Sequence, residues 1–389
     1  MTCTSSKKLS GYFSGIYLYH GSFFCDSVQN TLIFHARSKY CKGRNLIPHL
    51  KVNRYGNLTQ TYLRRNVEVI SEKSLIMGIL NYFHYGHFMF NSLSHMFDIL
   101  HLHSVCVGQV KNIFLFLDAK FERVLKKNSS LVRLDLNPMV YEAFALFGVD
   151  KNHFFSARHL FALSNHRTIF FRDVILGLNA SSLDHYNYRS SPIDWRLFRA
   201  FIIQSFHLNA IRLDKRSLLV NRTKRRLLNP ECVLNVCAEI LPEWKFSSVS
   251  FEGLSLMGQL EQVRSACLLI GLDGTGLFNG VFMDVGCIIV RIKPIYLDVL
   301  VPGKSKNFER LWRNVGMFYD SVPSMFFNVT LSIEERDMIA NPSKYDAMKR
   351  FRFGLSLDAV VDQEQLLGTV ERLIGYRYSN KSHKVRKFD

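Results

Sequence analysis

The sequence has little proline and little glycine, 9 and 22 residues in 389, yet it contains 32 phenylalanines and 16 tyrosines. Disordered, collagen-like and low-complexity chains show the opposite balance, because so many aromatic rings need a core in which they can be buried. The length is more than twice that of an ordinary domain of ~150 residues. The composition therefore predicts a globular protein with two domains.

The eight cysteines form no C-x-x-C pair, so neither a zinc ribbon nor a redox motif is predicted. Cys267 and Cys287 each precede an apolar run, where a thiol behaves as a small buried hydrophobe. We therefore expect free structural cysteines.

Two stretches lack formal charge, residues 9–25 and 74–97. Glycine, serine, histidine and asparagine make both too polar for a normal membrane anchor, so residues 74–97 are better interpreted as a buried soluble element. Six N-x-S/T sequons nevertheless keep a lumenal location open.

Charge of one sign is in excess, with 50 basic against 32 acidic residues, a net charge of +18 and a pI near 9.6. Such a chain attracts anionic partners. A nucleotide diphosphate, a phospholipid surface and a nucleic acid are all candidates on charge alone.

From residue 217 onward, short apolar strands alternate with helical patterns. The runs 268–270 and 288–290 are continuously apolar, which is typical of strands in a parallel sheet covered by helices on both faces. We place the linker that precedes this second domain near residues 181–192, and a final helix at 357–376.

Two segments of the second domain carry candidate phosphate-binding groups. Residues 271–280, G-L-D-G-T-G-L-F-N-G, lie between a predicted strand and helix, where glycines let a backbone approach a ligand or simply make a tight turn. Their spacing fits neither a dinucleotide fingerprint nor a Walker A loop. Residues 220–231 contain Arg222, Lys224, Arg225 and Arg226, which either bind phosphate oxygens or form a solvated basic loop.

A third segment, residues 81–98, lies in the first half of the chain. A regular helix from His87 would align Asn91, Ser94 and Asp98 with it on one polar stripe. His87 is then a candidate proton acceptor, although a lone histidine is more often a hydrogen-bonded packing residue.

In this order, the segments G-H-F-M-F-N, N-R-x-x-x-R-x-L-N-x-E, F-E-G-L-S-L-x-x-Q-L-E-Q and G-L-D-G-T-G-L-F-N-G-V-F-M-x-x-G resemble the catalytic domain of glycosyltransferase family 61 over residues 75–320. The resemblance implies an α/β chain of the GT-B class, with two Rossmann-like domains facing across a cleft. It implies an N-terminal acceptor domain (1–185), a C-terminal nucleotide-sugar domain (186–335), and a C-terminal helix and basic tail (336–389) for which the N-terminal domain is one packing surface.

The resemblance also assigns roles to individual residues. His87 corresponds to the family histidine and becomes the candidate catalytic base, with Asp98 in reserve. The residues that match donor-binding positions are Arg222, Arg226, Glu252, Gln262, Asp273, Gly274, Thr275, Gly276 and Asn279. Two positions depart from the family pattern, because Asp273 replaces a histidine and Arg291 replaces an acidic residue. We expect these two side chains to compensate each other in a salt bridge.

The implied activity is inverting transfer of a sugar from a UDP-GlcNAc or UDP-xylose type donor to a hydroxyl of a glycan or glycoprotein. No metal and no cofactor are expected, and no nucleic-acid partner. The predicted location is cytoplasmic with peripheral contact to an anionic membrane, and the alternative is the ER or Golgi lumen. The alternative functions are a catalytically inactive relative that binds glycan or nucleotide and a nucleic-acid-binding protein, whose binding would fall steeply with salt.

Overall fold

The protein is described from a computed structural model. The structure describes residues 16–26, 31–35, 50–53, 67–79, 85–102, 104–117, 138–156, 168–179, 195–211, 215–223, 225–294, 296, 300, 307–325 and 331–382. The chain divides into two compact units, Met1–Ile193 and Asp194–Asp389. The predicted linker at 181–192 and the basic tail from residue 383 lie outside the described residues.

Unit 1 is built on a mixed sheet. Its described strands are β1 (Ile16–Asp26), β2 (Thr31–His35), β3 (Leu50–Asn53), β4 (Val67–Ile70), β5 (Ser74–Ile79), β6 (Asn112–Leu117), β7 (Phe154–Ser156) and β8 (Thr168–Asn179). The order is β3-β2-β1-β8-β5-β6-β7, and β4 also pairs with β8. Strands β8, β5, β6 and β7 run parallel, whereas β1 is antiparallel to β2 and β8.

The helices of unit 1 contain buried aromatic residues, as the composition predicts. They are α1 (Tyr85–His87), a π-helical turn (Phe88–Leu93), α2 (Ser94–Leu102) and α3 (Pro138–Ala145), with a 3-10 turn at Lys151–His153. The Phe88 ring packs edge-on against Phe144, with ring centroids 5.6 Å apart, and both side chains are buried. Residues 74–97 thus supply buried parts of a strand and a helix, as predicted.

Unit 2 is built on a sheet of parallel strands with one antiparallel addition. Its strands are β9 (Arg216–Asn221), β10 (Lys245–Ser250), β11 (Leu268–Leu272), β12 (Ile288–Lys293), β13 (Phe318–Met325) and β14 (Val360–Val361). Their order is β10-β9-β11-β12-β13-β14, in which only β14 is antiparallel to its neighbour. The predicted parallel sheet is confirmed.

Unit 2 also contains helices in its described part. They are α4 (Trp195–Ser205), α5 (Pro230–Ile240), α6 (Leu256–Arg264), α7 (Thr275–Phe278), α8 (Asn307–Asn314), α9 (Ile333–Ala340), α10 (Ala347–Ser356) and α11 (Gln363–Ser382). One face packs Leu219, Ile270 and Val290 against apolar residues of α5 and α11. Because the central strands β11 and β12 are buried on both sides, the runs 268–270 and 288–290 are uninterruptedly apolar, whereas the edge strand β10 is partly exposed.

Two predicted helices differ from the structure. The helix predicted to follow the glycine segment is the four-residue α7 followed by a 3-10 turn, Asn279–Phe282. The helix expected from residue 357 begins at Gln363, because residues 358–361 pair with the loop after β9 and with β13. Helix α11 packs within unit 2, where Leu366, Val370 and Leu373 join the core.

The structure describes the side chains of five cysteines, and all five are free. Cys232, Cys237, Cys267 and Cys287 are buried and Cys106 is exposed. No helix in the described ranges is both long enough and apolar enough to cross a membrane.

Candidate functional site

The order of the strands in unit 2 points to one edge of its sheet. Numbered along the chain from β9, the parallel strands follow the order 2-1-3-4-5, and the connections leave in opposite directions from β9 and β11. Ligands of open α/β sheets bind outside the carboxyl ends of the strands at such a switch point. Val220 near the end of β9 pairs with Gly271 of β11. The basic loop and the glycine turn therefore emerge side by side.

Gly274 begins the turn after β11 and lies against the arginines of the basic loop. A Cβ atom at this position would come within 2.5 Å of Nη1 of Arg222 and 3.5 Å of Nη2 of Arg225. Gly276 and Gly280 have apolar neighbours instead, because a Cβ at Gly276 would meet Val220 Cγ1 at 2.9 Å and one at Gly280 would meet Ile289 Cδ1 at 2.5 Å. Gly274 therefore gives the cations access to the backbone, whereas the other two allow close packing.

The two guanidinium groups at Gly274 are incompletely compensated. The Nη1 atom of Arg222 is buried and has no hydrogen-bond partner within the described part of the protein. Burial lowers the pKa of Arg222 from its ordinary value. Burial, and then repulsion by Arg222, lowers the pKa of Arg225 to about 10. A buried cationic donor without a partner is costly, so this pair is suited to an anionic ligand.

Two carboxylates fix the backbone of the basic loop. Glu252 follows β10, and its Oε2 accepts hydrogen bonds from the backbone N–H of Thr223, at 3.1 Å, and from the Thr223 hydroxyl. Asp358 accepts from the backbone N–H of Arg226 at 2.6 Å and from its guanidinium at 3.1 Å. Arg226, predicted to face the glycine turn, thus turns its side chain to Asp358, and Arg225 takes the expected place beside Arg222.

Asp273 and Arg291 form the predicted salt bridge. The Nη2 atom of Arg291 lies 2.9 Å from Oδ2 of Asp273, with the two side chains 0% and 6% exposed. Glu309 of α8 lies 3.8 Å from the other terminal nitrogen of Arg291. The cation on β12 therefore neutralises the aspartate that immediately precedes Gly274, and the carboxylate does not face the arginine pair uncompensated.

Asn279 and Gln262 lie in different surroundings. Asn279 is fully buried and donates to Oε1 of Gln259 at 3.0 Å, while Nε2 of Gln259 donates to the carbonyls of Phe251 and Leu254 at 3.2 and 3.3 Å. Gln262 instead accepts from Arg216 at 2.8 Å. Arg216 is the first residue of β9, so this bond lies at the amino edge of the sheet, opposite the glycine turn. Thr275 is partly exposed at the start of α7.

The helical segment with His87 and Asp98 belongs to unit 1. The π-helical turn from Phe88 to Leu93 interrupts it, and a π turn spaces its hydrogen bonds by five residues instead of four. The single polar stripe expected from His87 through Asn91 to Asp98 is therefore wrong in register. The side chains of His87 and Asn91 lie outside the described set, and Asp98 is 4% exposed.

Within the described ranges, no three histidine, cysteine, aspartate or glutamate side chains group closely enough to hold a metal ion.

Sequence reasoning did not single out three residues that shape the site. Arg225 lay within the basic run, but only its left-handed backbone, with φ of 58°, turns it to the glycine. Gln259 is three residues before Gln262, the predicted donor-binding residue, and the two occupy neighbouring positions on helix α6. Asp358 is more than 130 residues from the loop it binds, so no local signal could have indicated it.

The sequence of the chain matches the model of a known protein family. The sequence pattern of Glycosyltransferase 61 matches residues 85–290, more than half of the chain. Among solved structures, the glycosyl transferase family 9 structure from Veillonella parvula DSM 2008 is similar over 79% of this chain and 98% of that one, with 13% identity and a TM-score of 0.31. No curated protein matches the chain significantly. The chain, an α/β protein with parallel strands in both units, belongs to glycosyltransferase family 61.

Proposed function

We propose that this glycosyltransferase moves a sugar from a UDP-linked donor, of the UDP-GlcNAc or UDP-xylose type, to a hydroxyl of a glycan or glycoprotein with inversion at the anomeric carbon. The observation that carries the donor assignment is the pair Arg222 and Arg225 at Gly274, with one buried guanidinium nitrogen of Arg222 unbonded within the described protein. Two convergent guanidinium groups match the charge and the bidentate geometry of a diphosphate.

The chemistry requires stabilisation of the leaving group. As the bond between the anomeric carbon and the donor oxygen breaks, negative charge develops on the departing diphosphate. Arg222 and Arg225 would neutralise this charge in a partly buried setting, where an electrostatic contact is stronger than in water. The Asp273–Arg291 pair supports this role, since it removes a repulsive carboxylate charge next to the phosphates. These cations would make a metal ion unnecessary.

The acceptor hydroxyl must lose a proton while the new bond forms. We propose His87 as the base, because an imidazole accepts a proton near neutral pH. Asp98 is the alternative. Glu252 and Asn279 complete the proposed donor site, Glu252 beside the nucleoside and Asn279 beneath the glycine turn, where Gln259 orients its amide.

Release of UDP from a panel of nucleotide sugars, with and without acceptor glycans, tests the proposal. We expect turnover with one donor class, loss of turnover with retained UDP binding in His87→Ala, and loss of UDP binding in Arg222→Met. Asp98→Ala separates the two candidate bases, because it should retain turnover if His87 is the base, whereas loss of turnover in Asp98→Ala but not in His87→Ala would assign the role to Asp98. Full activity of Arg222→Met would contradict the donor site.

A catalytically silent relative is the second candidate, and Asp273 is the observation that favours it, because this residue replaces the family histidine and its buried carboxylate is held in a salt bridge with Arg291. UDP binding without turnover on any donor would support it.

The net charge of +18 is compatible with peripheral contact to an anionic membrane. Nucleic-acid binding would rest on charge and would not be competed by free UDP. Loss of the bound ligand when free UDP is added would therefore argue against a nucleic-acid ligand.

A further inference from the structure

Residues 358–361 bind the second half of the basic loop along its whole length. The backbone N–H of Leu228 donates to the carbonyl of Ala359 at 2.8 Å, and the N–H of Ala359 donates to the carbonyl of Arg226 at 2.9 Å. The Asn229 side chain exchanges two hydrogen bonds with the backbone of Val361, at 2.8 and 3.0 Å. We call residues 358–361 the clasp.

The clasp is seated in the core of unit 2. Leu227, Ala359 and Val361 are 3%, 2% and 1% exposed and pack in one apolar cluster. Val360 and Val361 also pair with β13. The clasp is therefore a fixed part of the fold, and it lies outside residues 85–290, which match the family.

Asp358 is the member of the clasp that binds Arg226, the next residue in the chain after the arginine pair. Its Oδ1 accepts from the backbone N–H of Arg226, the residue directly after Arg225. Arg225 has φ of 58°, a left-handed conformation that a residue with a side chain adopts only where its surroundings enforce it. On the other side, the N–H of Thr223 is bound by Glu252. The strained residue thus lies between two anchored peptide groups.

We propose that Asp358 is a positioning residue for donor binding: through its hydrogen bond to the Arg226 backbone, it enforces the left-handed turn that directs the Arg225 guanidinium to the site beside Gly274. The proposal rests on the proposed donor site. In it the Arg226 side chain is a minor contributor, because the bond that matters joins Asp358 to the main chain.

The sign of the effect separates positioning from simple electrostatics. Asp358 is an anion close to a site for an anion, so its removal should tighten UDP binding if charge alone mattered. Positioning predicts the reverse for Asp358→Ala, which removes the backbone acceptor. Asp358→Asn removes the same charge but retains an oxygen that can accept from the Arg226 N–H, and its affinity should stay within about twofold of wild type.

The experiment is calorimetric titration of the full chain with UDP, and with inorganic pyrophosphate to separate phosphate contacts from nucleoside contacts. We expect Asp358→Ala to weaken UDP binding about tenfold, since small misplacements of a binding group have effects of this size or larger. Arg226→Met, which retains the main-chain bond, should bind within about twofold of wild type. Pyrophosphate should follow the same order.

Asp320→Ala is the matched control. Asp320 accepts from the backbone N–H of Ser321 and from the guanidinium of Arg372, the same two kinds of bond at a similar exposure, but on β13. It should leave UDP affinity unchanged. If Asp358→Ala does not fold, Asp358→Ser replaces it in the test. The serine side chain is too short for its hydroxyl to reach the same N–H, so we expect UDP binding to weaken about threefold or more.

Unchanged or tighter UDP binding in the folded Asp358→Ala or Asp358→Ser protein, with weakened binding in Arg222→Met, would overturn the positioning role and leave the donor site intact. Arg226→Met as weak as Asp358→Ala would also overturn it, because the side chain would then be the binding group. Unchanged binding in Arg222→Met would instead remove the donor site itself, so the two failures are distinguishable.

Discussion

Replacing Arg291 by methionine is the most severe test of the charge compensation beneath the site. Arg291 and Asp273 are 0% and 6% exposed, and their charged atoms are 2.9 Å apart. Removing one partner of a buried ion pair costs about 3–5 kcal/mol, because the other charge stays buried without compensation. Asp273→Asn should cost less, about 1–3 kcal/mol, since Glu309 lies 3.8 Å from the arginine and partly compensates it.

The double variant Asp273→Asn/Arg291→Met tests the pairing itself. With both charges gone, no buried charge is left uncompensated, so its cost should fall below the sum of the single costs by about 1–3 kcal/mol. Restoring only a histidine, Asp273→His, would strand Arg291 and should not improve turnover.

Urea unfolding followed by tryptophan fluorescence measures these free energies of unfolding for unit 2. The three tryptophans, Trp195, Trp244 and Trp312, all belong to unit 2, so the signal reports the unit that contains the ion pair. Asp320→Ala, which breaks a surface pair with Arg372, should cost only about 0–1 kcal/mol. Additive single costs, or an Arg291→Met protein as stable as wild type, would refute the reasoning.

Two further variants test the anion site directly. Arg225→Met should leave the ligand-free protein at least as stable as wild type in thermal unfolding, because the lowered pKa of Arg225 means that folding disfavours its charge, yet it should weaken UDP binding in calorimetry. A loss of stability without any change in affinity would contradict this. Gly274→Ala would displace the flexible end of Arg222 and should weaken UDP binding with little change in stability. Gly271→Ala, whose Cβ would lie 3.0 Å from the Val220 carbonyl oxygen, should instead destabilise the protein by about 1–3 kcal/mol.

The parallel sheet of unit 2 could be predicted because its strands carry their own signal. Continuous apolar runs at residues 268–270 and 288–290 reflect burial on both faces of β11 and β12. The ends of helices and strands were harder to predict. Helix α7 ends after four residues, and the chain continues as a 3-10 turn that begins at Asn279, whose side chain is hydrogen-bonded to the buried Gln259.

The site was predictable where it followed strand ends and unpredictable where it depended on backbone angles or distant contacts. The neighbourhood of Arg222 and Gly274 follows from the order of the parallel strands, whereas the salt bridge of Asp273 with Arg291 was predicted from the paired departures from the family pattern. Arg225, and not the predicted Arg226, lies beside Gly274, because of the left-handed backbone of Arg225 and the contact of Arg226 with Asp358. Neither feature can be recognised from the local sequence.

The most direct test of the central claim is a crystal structure of the protein with UDP bound. The account predicts diphosphate oxygens within about 2.7–3.2 Å of the guanidinium nitrogens of Arg222 and Arg225, beside Gly274 at the carboxyl ends of β9 and β11. UDP bound at the opposite edge of the sheet, near Gln262 and Arg216, or bound without contact to either arginine, would contradict it.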